Sequence, residues 1–354
     1  MRCEFRIRDR SEQTKLELKT TENKCLATMS GNFGGYVSLK PPIVGSGGRL
    51  VSGYSAEVPQ RQLSQQSFLA ISRISLVFLY AIIVTGSLVR LTGSGLGCAD
   101  WPQCSTTKFV DVSTGHAAIE QINRLFTGIV SAAVIAAVLG SIVVTPRRKS
   151  LIWLSSALVA GVLAQVILGA IVVFTGLNPW SNMAHFLVSL ALVSTAVLLV
   201  EQAGATNVEG VLAVGEKREP TRQITRRFAD LILGLCGLAV VLGTFVTGAG
   251  PHAGDENAIR LNFDLRSITR IHSATVLICI AATLIFILQI RRNASEWSRL
   301  RAKLEIFLFV AVAQGGVGYL QYFSGVPAQL VAVHVAFAVA VWISVLRLWI
   351  AAQQ

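Results

Sequence analysis

The chain has 354 residues, of which 53% are hydrophobic and only 14% charged, with a formal net charge of +12. Soluble domains carry about a quarter charged residues, and here the charges crowd into short blocks separated by apolar stretches of roughly eighteen residues or more, enough to cross a bilayer as a helix. That excludes a soluble enzyme, a nucleic-acid binder and a disulfide-rich secreted domain. The fold class it implies is all-α, a polytopic protein in the lipid bilayer with no nucleic-acid partner.

Residues 1–66 follow a different regime. Arg10, Lys15, Lys19 and Lys24 alternate with Glu4, Asp9, Glu12 and Glu22 before a Gly45-Ser46-Gly47-Gly48 run, and no apolar stretch is long enough for a signal peptide or a span. This composition predicts a disordered cytoplasmic tail. Met29 lies within it, so a misplaced translation start is a second explanation for its presence.

Eight apolar segments follow, near 68–92, 118–144, 150–175, 180–201, 229–249, 268–290, 303–323 and 327–350. They predict an N-terminal four-helix half at 67–201, a basic linker at 202–228 and a C-terminal four-helix half at 229–354. The loops after the second, fourth and sixth segments hold thirteen Lys and Arg residues, against only Lys108, Arg260 and Arg266 in the alternate loops. Basic loops stay on the cytoplasmic side, so both termini are expected there, and the loops near 93–117, 176–183, 250–267 and 324–326 are expected to face outward.

The segments also repeat. Ala164, Gln165, Gly169, Phe174 and Gly176 recur as Ala313, Gln314, Gly318, Phe323 and Gly325, and the same offset carries His185 onto His334 and Asn123 onto His272. A duplicated four-helix unit follows, with one site per half or one shared between them.

The chain has five histidines, and His185, His272 and His334 fall at the outward ends of the fourth, sixth and eighth segments. An ionisable side chain at such a depth needs a partner or a cofactor. A hydrogen bond to a neighbouring helix would satisfy each one singly. His272 and His334, at one level of one bundle, also form the pattern that holds a haem iron from both faces, with Arg266 and Arg270 within reach of its propionates. In the first half Asn123, a poor iron ligand, replaces the first histidine. Glu120 and His116 precede it by about one and two turns on nearly the same face. Glu120 reads either as interface charge paired with Arg124 or as a carboxylate beside a weakly ligated haem. Cys98 and Cys104 lie in an outward loop, where a short disulfide is plausible. Cys236 and Cys279 read as packing residues.

The string from Gly86 through Thr92-Gly93-Ser94-Gly95-Leu96-Gly97-Cys98 and on through Trp101-Pro102-Gln103-Cys104 resembles the first outer loop of haem A synthases, and residues 68–350 as a whole are similar to that family. The resemblance implies an eight-helix enzyme of two four-helix halves that oxidises a methyl group of haem O to a formyl group, giving haem A for terminal oxidases. It implies a haem b cofactor on His272 and His334, and a substrate haem in the N-terminal half with His185 on its iron. Glu120 would then stabilise charge or take a proton, while Cys98 and Cys104 would relay electrons or simply hold the loop. Haem O would arrive from the bilayer or from the haem O synthase, a farnesyltransferase. An oligomer is compatible with this reading. Asn123 departs from the pattern where the family usually has a histidine, and His116 stands too far away to replace it. His252, in Gly250-Pro251-His252-Ala253-Gly254-Asp255, either caps the cofactor, meets a partner, or is a solvated turn residue. Two other classes fit the residues: a quinol-linked haem b electron-transfer protein and a repeat-built transporter.

Overall fold

A computed structural model describes residues 15–21, 24–30, 35–38, 63–212 and 221–354. The chain divides into two units, Met1–Gln62 and Leu63–Gln354. In the first, strands β1 (Lys15–Thr21), β2 (Lys24–Ser30) and β3 (Gly35–Ser38) form an antiparallel sheet in the order β1-β2-β3, with Leu18 opposite Ala27 and Leu26 opposite Ser38. The composition of 1–66 predicts disorder and no strand there. The alternation Leu16-Glu17-Leu18-Lys19 has a strand's two-residue period, and that local signal runs against the average composition. The rest of the expected tail before residue 63 lies outside the described residues.

The second unit is helical throughout its described elements: α1 (Gln65–Leu91), α2 (Gly115–Val143), α3 (Lys149–Phe174), α4 (Pro179–Leu212), α5 (Gln223–Ala249), α6 (Leu265–Ile290), α7 (Ala294–Phe323) and α8 (Ala328–Gln353). All eight are long and apolar enough to cross a membrane. Large apolar side chains stand uncovered on the outside, with Phe323 79%, Trp153 76% and Phe309 73% exposed, a surface that only lipid solvates without cost. The protein is a multi-pass membrane protein.

Several helices run past their apolar segments. Helix α7 begins at Ala294 rather than near 303, and α4 continues to Leu212 rather than ending near 201. Hydropathy marks the thickness of the hydrocarbon, whereas a helix ends where its capping residues are. Asn293 caps α7, its side-chain oxygen accepting from the Ser295 and Glu296 N–H groups. Ser64, Thr114 and Asp264 cap α1, α2 and α6 in the same way. The Asp264 carboxyl is held below the ordinary carboxylate range by the hydrogen bond from the Ser267 side chain, followed by that from the Ser267 backbone.

Each half closes as a ring. Helix α1 packs on α2, α2 on α3, α3 on α4 and α4 on α1, and α5 to α8 repeat the pattern. The halves meet through α1, α4, α5 and α8. Tyr80 donates to the Ala336 carbonyl at 3.0 Å and Trp342 to the Ser194 hydroxyl at 2.9 Å across that seam. The duplication reaches the caps: Gly176 and Gly325 both take positive φ, followed by Leu177 and Val326 in the same region. Leu177 N–H bonds back to the Val172 carbonyl and Val326 N–H to that of Gln321, so α3 and α7 end alike.

Packing is uneven along the bundle. The fully buried residues of α6 begin at Thr275, those of α8 begin at Val339, those of α3 end at Val162 and those of α7 end at Ala311. In these four helices the well-packed part is the end that bears the basic loops. The opposite end, which holds the histidines, is the less tightly packed one.

Candidate haem-binding site

His272 is the eighth residue of α6 and His334 the seventh of α8, so both lie about 10 Å in from the same end of the bundle. Their ring centroids are 6.5 Å apart. Two imidazoles on one iron put their centres about 6 to 7 Å apart, given metal–nitrogen bonds of about 2 Å. The Nδ1 of His272 lies 2.9 Å from the Ala239 carbonyl of α5. A carbonyl only accepts, so Nδ1 carries the proton and Nε2 keeps a free lone pair, the tautomer an axial ligand needs. Glycines flank both rings. A Cβ on Gly243 of α5 would come within 3.2 Å of the His272 ring, and one on Gly318 of α7 within 3.1 Å of the His334 ring. His334 Nδ1 is buried without a partner. The two rings, the small residues beside them and the loose packing around them fit an axially ligated haem.

The N-terminal half repeats the frame with different contents. His185, the seventh residue of α4, lies against Gly169 of α3, whose Cβ would come 3.8 Å from the ring, and its Nδ1 is likewise buried and unpartnered. The opposing position holds Asn123 of α2, whose side-chain oxygen accepts from the Thr85 hydroxyl at 2.8 Å. Gly86 of α1 stands beside Asn123 as Gly243 stands beside His272. One half therefore offers two imidazoles and the other offers one.

The loop between α1 and α2 is tied down by residues that the sequence pattern also marks. The structure joins Cys98 and Cys104 in a disulfide. Glu120 is buried, and its carboxylate accepts from the Cys98 N–H at 2.8 Å and from Arg124 Nε at 3.0 Å and Nη2. Arg124 in turn donates to the Asp100 carbonyl at 2.9 Å and that of Gln103 at 3.3 Å. The Glu120–Arg124 pair thus fastens α2 to both ends of the disulfide loop. His116 pairs through Nδ1 with the Ser94 hydroxyl, and Gly97 packs on the His116 carbonyl, leaving no room there for a Cβ. His252 reaches the Val326 carbonyl through Nε2 at 2.8 Å, binding the α5–α6 loop to the α7–α8 turn.

Residues 70–113 and 108–346 match the model of the cytochrome oxidase assembly protein family, COX15-CtaA. The chain belongs to this family. Among curated relatives it is 36% identical over 112 residues to the "Heme A synthase" of Geobacillus kaustophilus, covering 31% of this chain and 34% of that protein. It is 28% identical over 148 residues to that of Geobacillus thermodenitrificans, 41% and 46% of the two chains. With that of Bacillus pumilus it shares 32% over 156 residues, 42% and 50%. The chain spans about a third to a half of the length of these relatives.

Within this family member the sequence pattern and the geometry agree unevenly. His272 and His334 come together, and His185 lies against Gly169 at the place equivalent to His334 against Gly318. Arg266 and Arg270 are exposed and four residues apart on α6, at the end of that helix nearer His272. Glu120, His116 and His252 are engaged with loops. Sequence reasoning used Gln165, Gln314, Gly169 and Gly318 only as marks of duplication, yet the glycines back the histidine rings, and Gln165 donates to the His185 carbonyl at 3.0 Å and to the Ser189 hydroxyl. Their recurrence four residues apart in each half was the signal that pointed to them. Cys236 and Cys279, read singly as packing residues, are buried with their sulfurs 3.5 Å apart.

Proposed function

We propose that the protein is a haem A synthase, which oxidises one ring methyl of haem O to a formyl group, with haem O in the N-terminal half and a haem b cofactor in the C-terminal half. The observation that carries this reading is the inequality of the two duplicated sites: His272 stands beside His334 in one, whereas the other has His185 and, at the position equivalent to His272, Asn123 bonded to Thr85. When bound, haem b supplies a one-electron redox centre. His272 and His334 would hold it, and the Ala239 carbonyl fixes the His272 ring in the tautomer that leaves Nε2 free. Gly243 and Gly318 keep the rings' flanks free of side chains.

In the substrate half His185 would supply the one imidazole, and Asn123, committed to Thr85, supplies none from its side. Gln165, bonded to the His185 carbonyl, positions that segment of α4. Glu120 acts as a positioning residue that keeps the Cys98–Cys104 loop over the site, its carboxylate accepting from the Cys98 N–H and from Arg124. The excess of basic residues at one end supports a cytoplasmic position for that end, with both haem sites near the outer face of the cell membrane. Haem O, an amphiphile, reaches the site from the bilayer or directly from the farnesyltransferase that makes it.

The unequal sites weigh against a two-haem quinol-linked cytochrome, and eight helices unbroken along their described lengths weigh against a transporter. The test is co-expression with a source of haem O, followed by chromatography of the extracted haems. Haem A, or its hydroxylated precursor, is expected with the wild type and lost with His185→Ala. Haem O recovered unaltered from wild-type cells would overturn the assignment.

A further inference from the structure

At the end of the molecule opposite the haem sites, a cavity of about 410 Å³ lies among α1, α4 and α8, on the seam between the halves. Its walls are apolar, from Leu76, Val197 and Ile343, and three charged residues reach it: Arg73, Arg347 and Glu201. Arg347 Nε pairs with Glu201 Oε1 at 2.7 Å. Arg73 forms no ion pair or side-chain hydrogen bond among the described residues, so the cavity carries one uncompensated positive charge. Arg73 is the ninth residue of α1, about 12 Å along the helix, at the depth where headgroups give way to acyl chains. A charge at that depth is costly unless it meets a counter-ion.

The duplication sharpens the point. The spacing that relates Gly86 to Gly243 also relates Arg73 to Asp230 of α5. Asp230 is satisfied within the chain, accepting from Trp349 Nε1 at 2.8 Å and from Gln353 at 3.0 Å. One copy of the position has an acid with internal donors, and the other has a base with none.

We propose that this cavity binds an anionic phospholipid of the leaflet at the basic end, its phosphate on Arg73 and its first methylenes along Leu76, Val197 and Ile343. A cationic pocket between transmembrane helices, apolar along its length and open to the bilayer edge, is the environment that anionic headgroups select. The lipid would cement the seam between the halves. The site is independent of the haem chemistry.

The test uses the full-length protein, purified in mild detergent and offered phosphatidylglycerol, phosphatidylcholine or inorganic phosphate, with bound lipid counted by native mass spectrometry. The wild type is expected to retain phosphatidylglycerol over phosphatidylcholine, and excess inorganic phosphate is expected not to displace it. Arg73→Gln should lower phosphatidylglycerol retention roughly fivefold or more, the weight of one arginine at an anionic membrane surface. Arg73→Lys should keep most of it, and Arg301→Gln, an exposed basic residue outside the cavity, should keep all of it. Equal retention by the wild type and Arg73→Gln, equal retention of the two lipids by the wild type, displacement by phosphate, or an equal loss in Arg301→Gln would each overturn the proposal.

Discussion

The His272 ring is held between a carbonyl on one helix and a glycine on the same helix one turn further along: Ala239 accepts from its Nδ1 and Gly243 clears its flank. His334 has only the glycine, Gly318. A methyl group added at Gly318 or Gly243 must push the imidazole off its axis, since real Cβ atoms rarely approach so closely. Gly318→Ala and Gly243→Ala are therefore expected to lower haem retention several-fold with the helical fold intact, measured as the ratio of Soret to protein absorbance. Gly169→Ala, whose Cβ would meet His185 at an ordinary 3.8 Å, should leave that site nearly unchanged. The histidines were legible in the sequence because an ionisable residue in an apolar helix has few bland explanations. The glycines were not, because helical glycine in membranes serves packing of every kind.

At the scale of elements, hydropathy located all eight spans but not their ends, because caps such as Asn293 and the charged turns beyond the hydrocarbon are invisible to it. It also passed over β1–β3, whose short period-two signal is diluted by charged neighbours. The loop after α1 is the element where the structure narrows the alternatives most. The sequence offered Glu120 either as interface charge paired with Arg124 or as a carboxylate beside a haem, and the structure engages it with Arg124 and the Cys98 N–H. Breaking a buried ion pair by removing one partner costs about 3 kcal/mol. Glu120→Ala is expected to loosen the loop by about that much, read as faster proteolysis between Gly97 and Thr114 and faster reduction of Cys98–Cys104, and Arg124→Ala should do the same. If Glu120→Ala abolished turnover while both rates stayed at wild-type values, the carboxylate would instead be acting on the substrate.

At the scale of the molecule, two rings of four helices share a seam of α1, α4, α5 and α8 that includes Tyr80–Ala336, Trp342–Ser194 and Arg347–Glu201. Those contacts predict that residues 1–212 and 213–354, expressed as separate chains in one cell, co-purify, and that Trp342→Ala combined with Tyr80→Phe weakens their association. The duplication itself was legible from a constant offset. The difference between the halves was legible only as Asn123 standing where the repeat has His272; that Asn123 meets Thr85 was not, because a hydroxyl partner on another helix leaves no mark in the spacing.

The central claim is that duplicated sites have diverged, a two-histidine haem b site in the C-terminal half and a one-histidine substrate site in the N-terminal half. The most direct measurement is the haem content of purified wild type, His272→Ala, His334→Ala and His185→Ala, by pyridine haemochrome spectra and chromatography of extracted haem. The account predicts that His272→Ala and His334→Ala each lose haem b, whereas His185→Ala keeps haem b and loses only haem O and its oxidation products. Haem b retained in both C-terminal variants, or lost in His185→Ala alone, would contradict it.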